Sequence, residues 1–346
     1  MKKKILFSAP SKSPGPLTAF RNHKALLGSF FDVDIVLLEE LISPPFLKDF
    51  RHQSLYYRIC KRLKLPVIDQ ILPYGENVIF GTFAPIHEKI VEKLNKKGIR
   101  PSFMWCSSLG QIEMTLSERK PFSRLIELLR AGKVKYLFLH RRLYNSIGFF
   151  VKEAIFLPHS IDLTIYKNVS KANLPGINLD LFCRPRLGKN ILNQITGFEM
   201  AGIDGVLHIN FDPAQFQGII EKISQRVIRH KWLSQEEYFS LVAGMTLSLQ
   251  VTIGESFNYA VCERMCLGVP VLTTRDIYLV AEDEFLIKYL CIEAPDTPAE
   301  IARAMKNIVL NKNLRQELAE GCKKRIAQVA EQNNKIVLEQ FLHYFG

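Results

Sequence analysis

Long apolar runs are missing from this sequence of 346 residues. No stretch reaches the length of about 18 apolar residues that a transmembrane helix needs, so we expect none. The apolar stretch after the basic start at Met1–Lys4 breaks at Pro10. That stretch is too short for a signal peptide, and we interpret it as a buried strand. The sequence also has no low-complexity tract and no repeat of about 20–50 residues.

Paired cysteine motifs are also missing. The seven cysteines are an odd number and include no CxxC spacing. A disulfide framework is therefore not expected, and reduced thiols in the cytoplasm fit the pattern. Cys262 and Cys266 are spaced i, i+4, but no His or Cys lies at ligand spacing from them, so we predict no metal site. We expect a cytoplasmic protein, with a peripheral position at the inner face of the membrane as an extension of that expectation.

Charge is unevenly spread along the chain. The formal net charge is +12, and hydrophobic residues make up 47%, enough for a sizeable core. Residues 1–160 hold 26 basic and 13 acidic residues, whereas residues 161–346 hold 20 and 21. The whole surplus therefore lies in the first half, which suggests two domains, one of them with an anionic partner.

Short β-rich runs alternate with helical stretches along the chain, which predicts parallel sheets covered by helices. Ligands bind such sheets beyond the carboxyl ends of the strands, so the turns after strands are the places to look for chemistry. Residues 40–75 are interpreted as mostly helix, and 163–175 as a linker. The predicted strands are 4–9, 33–38, 77–80, 102–106, 134–139, 154–157, 179–183, 205–210, 245–251 and 269–273. The main predicted helices are 17–27 after a loop over 10–16, 85–98, 121–131, 190–201, 235–242 and 257–267. Further helix starts are expected at Asp212-Pro213 and at a capping box formed by Thr297 and Glu300.

A basic turn follows the strand 179–183. It carries Arg184, Arg186 and Lys189, with Pro185 ending the strand and Gly188 allowing close backbone approach. Three cations and a helix N-terminus would converge where the strand ends, which favours a diphosphate site. A solvated basic turn is the alternative.

Two glutamates lie in and after the turn that follows the strand 245–251. Glu255 lies in the turn, Ser256 is a candidate helix cap, and Glu263 lies in the helix among apolar residues. A carboxylate in an apolar setting needs hydrogen-bond donors, and sugar hydroxyls supply them. A pair of ordinary surface glutamates is the alternative, because glutamate is common in helices.

These segments resemble a known family. Glu255 to Glu263, with Ser256-Phe257-Asn258 between and Leu267-Gly268-Val269-Pro270-Val271 after, is similar to the E-x7-E motif of retaining GT-B glycosyltransferases of family 4. The Arg184–Lys189 spacing resembles the family's G-R-L-x-x-x-K turn, and Pro158-His159-Ser160-Ile161-Asp162 resembles its interdomain P-N-G-[IV]-D. The match covers about residues 155–275, and the first half matches only in its βα pattern.

The resemblance implies an α/β chain with the GT-B fold, two Rossmann-like doubly wound domains facing a central cleft. Residues 1–160 would form the acceptor-side domain, with helix 333–346 packing back on it, and 161–332 the nucleotide-sugar-binding domain. Arg184 and Lys189 would hold the donor diphosphate, Glu263 the ribose and Glu255 the transferred sugar, with residues 230–233 near the base. Donor contacts are also implied for Ser256, Phe257, Asn258 and Arg186, and for Gly15 in the reduced glycine loop. No metal or cofactor is expected, since the cations and helix dipole neutralise the leaving group and a DxD-like motif is missing from its expected place.

The sequence thus predicts a retaining hexosyltransferase that uses a nucleotide sugar and a glycan or lipid-linked acceptor, in polysaccharide, lipopolysaccharide or glycolipid assembly. Basic residues at 61–64 and 96–97 are candidates for contact with an anionic membrane. His140-Arg141-Arg142 is interpreted as a solvated helix start, and His23 as a packed or surface histidine rather than a ligand contact. Two alternatives stay open: a nucleic-acid-binding or nucleic-acid-modifying protein using the basic half, although we expect no nucleic-acid partner, and a catalytically silent GT-B partner subunit.

Overall fold

A computed structural model describes residues 2–10, 14–42, 67–212, 226–231 and 233–346, together with positions 216 and 218. The described chain divides into two compact units. The first comprises residues 1–162 and 333–346, and the second comprises residues 163–332. The basic segment 61–64 and the helix start at Pro213 lie outside the described residues.

The first unit is built on a parallel sheet. Its strands are Lys4–Ala9 (β1), Asp32–Leu37 (β2), Val78–Gly81 (β3), Ser102–Trp105 (β4), Leu137–Leu139 (β5) and Ala154–Phe156 (β6). Their order in the sheet is β2-β1-β3-β4-β5-β6, and it reverses between β1 and β3, which is the topological switch point of a doubly wound sheet. The inner strands are buried and rich in Ile, Leu and Phe, as expected for a sheet covered on both faces, whereas the edge strand β2 is mostly half-buried. The helices are Pro14–Leu27 (α1), Leu38–Ile42 (α2), Val67–Ile71 (α3), Pro85–Asn95 (α4), Leu109–Met114 (α5), Leu116–Arg130 (α6) and Arg141–Ile147 (α7).

The second unit repeats this plan with another parallel sheet. Its strands are Ile177–Leu181 (β7), Gly205–Ile209 (β8), Val227–Arg229 (β9), Leu247–Leu249 (β10), Val271–Thr274 (β11) and Cys291–Ile292 (β12). Their order in the sheet is β12-β11-β10-β7-β8-β9. The order reverses between β7 and β10, which pair directly through Asp180 and Ser248. The helices are Ile191–Ala201 (α8), Gln235–Ala243 (α9), Tyr259–Leu267 (α10), Tyr278–Ala281 (α11), Glu284–Leu290 (α12), Pro298–Leu310 (α13) and Lys312–Phe345 (α14).

The long helix α14 supplies residues to both units. Its final part, from Asn333, belongs to the first unit. There Phe341 packs edge-on to Phe7 of β1 and stacks with Phe138 of β5, at ring-centroid distances of 5.9 and 6.2 Å. Asn333 donates to the His159 carbonyl at 2.9 Å. These contacts tie the end of the chain to the core of the first sheet.

The predicted α/β class with parallel sheets is confirmed, and several local predictions are wrong. The expected loop over 10–16 ends early because α1 begins at Pro14, where proline fits a first helical turn. Helix α6 begins at Leu116, a turn before the predicted Pro121. The Thr297 side chain makes no cap; Glu300 instead accepts the backbone N–H groups of Glu293 and Ala294. Strands β9 and β12 were not predicted, since each is too short to show a two-residue period.

Candidate functional site

Two turns meet at the switch point of the second sheet. The turn after β7 runs from Phe182 to Asn190, and the turn after β10 runs from Gln250 to Asn258. They are joined by the Ile253 amide, which donates to the Gly188 carbonyl at 2.8 Å. The Gln250 side chain also donates to the Phe182 carbonyl at 3.0 Å. The switch point of a doubly wound sheet is where ligands bind, so the sequence and the topology indicate the same place.

A glutamate flanked by two cations lies at this junction. Glu255 accepts from Arg186 at 2.6 Å and from Lys189 at 2.7 Å, and the residue is only 4% exposed. Burial alone would raise the pKa of Glu255, but the two cations outweigh it and hold that pKa below its usual range. Glu255 is therefore an ionised acceptor at neutral pH, held between two cations.

Two of the three basic residues of the first turn contact Glu255. Arg186 and Lys189 both lie within ion-pair distance of Glu255, and Arg184 is exposed on the same turn. The intervening Leu187 is 82% exposed, so the turn extends into solvent. Lys189 closes the turn at Asn190, a residue with a positive φ of 52° that precedes α8. Of the two predicted diphosphate cations, Lys189 is thus in the cluster, and the role of Arg184 stays a prediction.

Asn258, not Ser256, caps helix α10. Asn258 has a φ of 59° and its side chain accepts from the Val261 amide, so the predicted cap at Ser256 is wrong by two residues. Asparagine tolerates the left-handed conformation better than serine does. Phe257 is buried, with its ring 4.8 Å from that of Tyr259, and is a core residue whose backbone lines the turn. The Gly254 amide donates to the Asp276 carboxylate at 2.7 Å, which fixes the turn from the β11 side.

The second glutamate is held by a chain of polar contacts. Glu263 accepts from the Tyr238 hydroxyl at 2.9 Å, and that hydroxyl accepts from Arg264 at 2.6 Å. Burial raises the pKa of Glu263, while Arg264 and Tyr238 oppose the shift. Its side chain remains 19% exposed. Glu263 is therefore an oriented carboxylate with one accessible side, suited to accept hydroxyl hydrogens.

A buried ion pair beneath Glu263 was not predicted. Arg264 and Asp180 are both 0% exposed and lie 2.6 Å apart, and the Ser248 hydroxyl also donates to Asp180. Arg264 donates in addition to the Ala260 carbonyl at 3.0 Å. Asp180 is 84 positions from Arg264 along the chain. In the sequence, Arg264 stands among apolar residues of the helix, but nothing near it in the sequence identifies Asp180 as its partner.

The first unit holds the other candidates. Gly15 lies in the first turn of α1, and a Cβ there would meet nothing within 4 Å. His23 is fully buried and hydrogen-bonded to the Ser160 hydroxyl at 2.7 Å, and burial lowers its pKa to about 3. His140 is 3% exposed, so the solvated helix start predicted there is wrong. Its ring contacts the Ser107 carbonyl at 3.2 Å, and burial lowers its pKa to about 4. These neutral histidines are part of the packing of this unit.

Within the described residues, no group of three or more acidic, histidine or cysteine side chains is arranged to hold a metal ion. No helix in the same part of the chain combines the length and apolar character required to cross a bilayer. The cysteines resolved in that part form no disulfide.

Comparison with solved structures identifies the fold as GT-B, the architecture of a large class of glycosyltransferases. A crystal structure of TarM aligns with a TM-score of 0.72 at 11% identity, over 99% of this chain and 98% of that one. Anabaena HepE in complex with UDP-glucose aligns with a TM-score of 0.70 at 12% identity, over 98% of both chains. Sucrose-phosphate synthase from Thermosynechococcus elongatus aligns with a TM-score of 0.68 at 14% identity, over 99% and 100%.

One further solved structure is longer than this chain, so the alignment covers a smaller share of it. For S. aureus TarM in complex with fondaparinux, alpha-GlcNAc-glycerol and UDP, the aligned region spans 78% of this chain but 55% of that chain, at 14% identity and a TM-score of 0.61. No protein-family model matches the sequence. No curated protein sequence matches it either. At these identities the likeness establishes the fold alone.

Proposed function

We propose that this protein is a glycosyltransferase that moves a hexose from a nucleotide diphosphate sugar to a hydroxyl acceptor with retention of the anomeric configuration. The observation that carries the proposal is the cluster of Lys189, Arg186 and Glu255 at the switch point of the second sheet. The complexes of GT-B neighbours with UDP and UDP-glucose support a nucleotide-sugar donor. Retention rests on the similarity of Glu255–Glu263 to the E-x7-E motif.

The cation pair is assigned to the donor diphosphate. When the sugar–phosphate bond breaks, negative charge accumulates on the leaving diphosphate, and fixed cations in a partly buried site stabilise it. Lys189 is held close to its ion partner and little exposed, so it needs little reorganisation to act. Arg186 has a planar fork suited to two phosphate oxygens. These two charges are expected to serve without a metal ion, a point that transfer assays with and without EDTA test directly.

Glu255 is assigned to the sugar and Glu263 to the ribose. Glu255 stays ionised beside the cations and accepts sugar hydroxyls, which places the anomeric carbon next to the diphosphate. Glu263, fixed by Tyr238, accepts ribose hydroxyls. The backbone of residues 256–258 lines the same turn. Catalysis then comes from positioning and from leaving-group stabilisation, with no side chain assigned as a nucleophile.

The first unit is assigned to the acceptor, a glycan or a lipid-linked sugar of a polysaccharide, lipopolysaccharide or glycolipid pathway. Its charge surplus favours an anionic acceptor or membrane surface at the inner face of the membrane. Phe149 and Phe150 follow α7 in this unit and are 72% and 63% exposed, with ring centroids 3.7 Å apart. Exposed aromatics next to basic residues such as Lys152 suit a lipid interface. Flotation with anionic and zwitterionic vesicles tests this; Phe149→Ser/Phe150→Ser should reduce binding to anionic vesicles.

The enzymatic proposal is tested with a panel of UDP-, GDP- and ADP-sugars. Wild type should hydrolyse or transfer from at least one of them. Lys189→Ala and Glu263→Ala should each lose most of this activity, whereas Lys306→Ala, an exposed lysine on α13, should keep it. A wild type that neither binds nor turns over any sugar nucleotide would refute the enzyme and leave the silent-subunit alternative. Binding to nucleic acid that weakens steeply with salt, in place of nucleotide-sugar binding, would favour the other alternative.

A further inference from the structure

Three buried or half-buried polar side chains form a hydrogen-bonded chain across the neighbouring strands β7, β8 and β9 of the second sheet. Asn178 lies on β7, His208 on β8, and His230 directly after β9. Asn178 Oδ1 lies 3.0 Å from His208 Nε2, and His208 Nδ1 lies 2.8 Å from His230 Nε2. The two imidazole ring planes differ by 16° and their centroids lie 5.0 Å apart, which suits a hydrogen bond between ring edges. The proton positions along this chain follow from its fixed end.

Asn178 sets the direction of every hydrogen bond in the chain. Its Nδ2 donates to the Pro175 carbonyl at 2.9 Å, so its Oδ1 faces His208 as an acceptor. His208 Nε2 must therefore carry the proton. Burial lowers the pKa of His208 to about 4, so this ring is neutral at pH 7 and its Nδ1 is an acceptor. His230 must then donate through Nε2, which leaves its Nδ1 with an available lone pair.

The free end of the chain lies at the ligand-binding edge of the sheet. His230 follows β9 as the basic turn follows β7, at the same carboxyl edge of parallel strands. The Phe182 ring contacts the His230 ring edge-on at 5.6 Å and the Tyr238 ring at 5.9 Å, and Tyr238 holds Glu263. The proposed order along the site is therefore the cations assigned to the diphosphate, then Glu263, assigned to the ribose, and then His230. The diphosphate, ribose and base of a nucleotide follow one another in the same order.

We infer that the Asn178–His208–His230 chain fixes Nδ1 of His230 as a hydrogen-bond acceptor for an N–H group on the base of the bound nucleotide. This inference rests on the proposed function. His230 is the contact residue, and Asn178 and His208 are positioning residues that act through it. A Lys, an Arg or a protonated histidine at this position could only donate hydrogen bonds, whereas neutral His230 accepts one through Nδ1. The Asn178–His208–His230 chain therefore selects a nucleotide base that carries an N–H donor on the edge facing His230.

The experiment compares nucleotides with and without that donor. UDP and N3-methyl-UDP, and GDP and N1-methyl-GDP, are titrated into wild type, His230→Phe and the control His343→Phe, which alters an exposed histidine on α14. Whichever of UDP and GDP binds wild type more tightly is the nucleotide to follow. Its affinity for wild type should fall about tenfold when the base is methylated, because one good hydrogen bond is lost. Its affinity should fall by the same factor when His230 is changed to Phe. The methylated analogue should bind wild type and His230→Phe equally. If His230→Phe weakened the binding of the natural nucleotide and of its methylated analogue to the same extent, the inference would be overturned.

A second measurement reads the proton positions without any ligand. Nitrogen–proton correlation spectra of the imidazoles should show both His208 and His230 protonated at Nε2 near pH 7. Asn178→Leu should release this preference in both rings while the fold is kept. A His230 ring protonated at Nδ1 in wild type overturns the inference alone. Failure of all four nucleotides and of ADP to bind overturns the proposed function as well, so the two failures are distinguishable.

Discussion

Replacing Arg264 with methionine should destabilise the second unit strongly. Arg264 and Asp180 are both inaccessible to solvent, and among the described residues the substitution leaves the Ser248 hydroxyl as the side-chain donor to the Asp180 carboxylate. Removing one partner of a buried ion pair costs about 3–5 kcal/mol. For a unit of this size each kcal/mol lowers Tm by about 2–4 °C, so the calorimetric transition of this unit should fall by about 6–20 °C.

A double variant separates the ion pair from simple packing. Arg264→Met/Asp180→Leu removes both charges and keeps apolar volume, so it should regain much of the stability lost by Arg264→Met. The control Arg303→Met changes an exposed arginine on α13 and should leave Tm within about 1 °C. An Arg264→Met variant with the Tm of wild type would contradict a cost from the desolvated charge. So would a double variant whose loss of Tm equals the sum of the losses in the two single variants.

The same change carries a functional prediction. Arg264 lowers the pKa of Glu263, so its loss should raise that pKa further and reduce the fraction of ionised Glu263 at neutral pH. Tyr238→Phe removes the hydroxyl that donates to Glu263 and keeps the ring. Both variants should weaken nucleotide binding at pH 7 and recover part of the loss at higher pH, which titration calorimetry at two pH values measures. Binding that is independent of pH in both variants would contradict this role.

Two further predictions concern stability. His23, His87 and His140 are buried, with pKa values lowered to about 3–4, and the pKa of buried His159 is lowered well below 6.5. In the unfolded chain they titrate near 6.5, so stability should be full above that pH and fall as pH drops from 6.5 towards 4. For His23, His87 and His140 the loss at pH 5 should be about 2 kcal/mol each. Urea unfolding at pH 7.5 and 5 measures this loss, and a flat profile contradicts it. Gly197→Ala places a Cβ 2.9 Å from Ile301 and 3.1 Å from the Pro298 carbonyl, and should cost about 1–3 kcal/mol, whereas Gly15→Ala meets nothing and should unfold as wild type does.

Much of the second sheet could be predicted because its signals are local. The predicted helices 190–201 and 235–242 match the observed helices Ile191–Ala201 and Gln235–Ala243 to within one residue, since their ends depend on a few adjacent residues. The meeting of Lys189 and Glu255 follows from topology, because turns after neighbouring parallel strands share one edge. What the sequence did not indicate depends on distant partners. The Asp180–Arg264 pair and the Asn178–His208–His230 chain each join residues from separate strands or helices, and no single-sequence period reports such contacts.

The proposed function depends on binding of the nucleotide-sugar diphosphate by Lys189 and Arg186. Titration calorimetry of UDP, GDP and ADP against wild type, Lys189→Met and the exposed-lysine control Lys306→Met tests it most directly. One nucleotide should bind wild type and Lys306→Met alike, and Lys189→Met at least about tenfold more weakly, because a charge-assisted contact is lost. Equal affinity of wild type and Lys189→Met for every nucleotide, or no binding to wild type, would contradict the account.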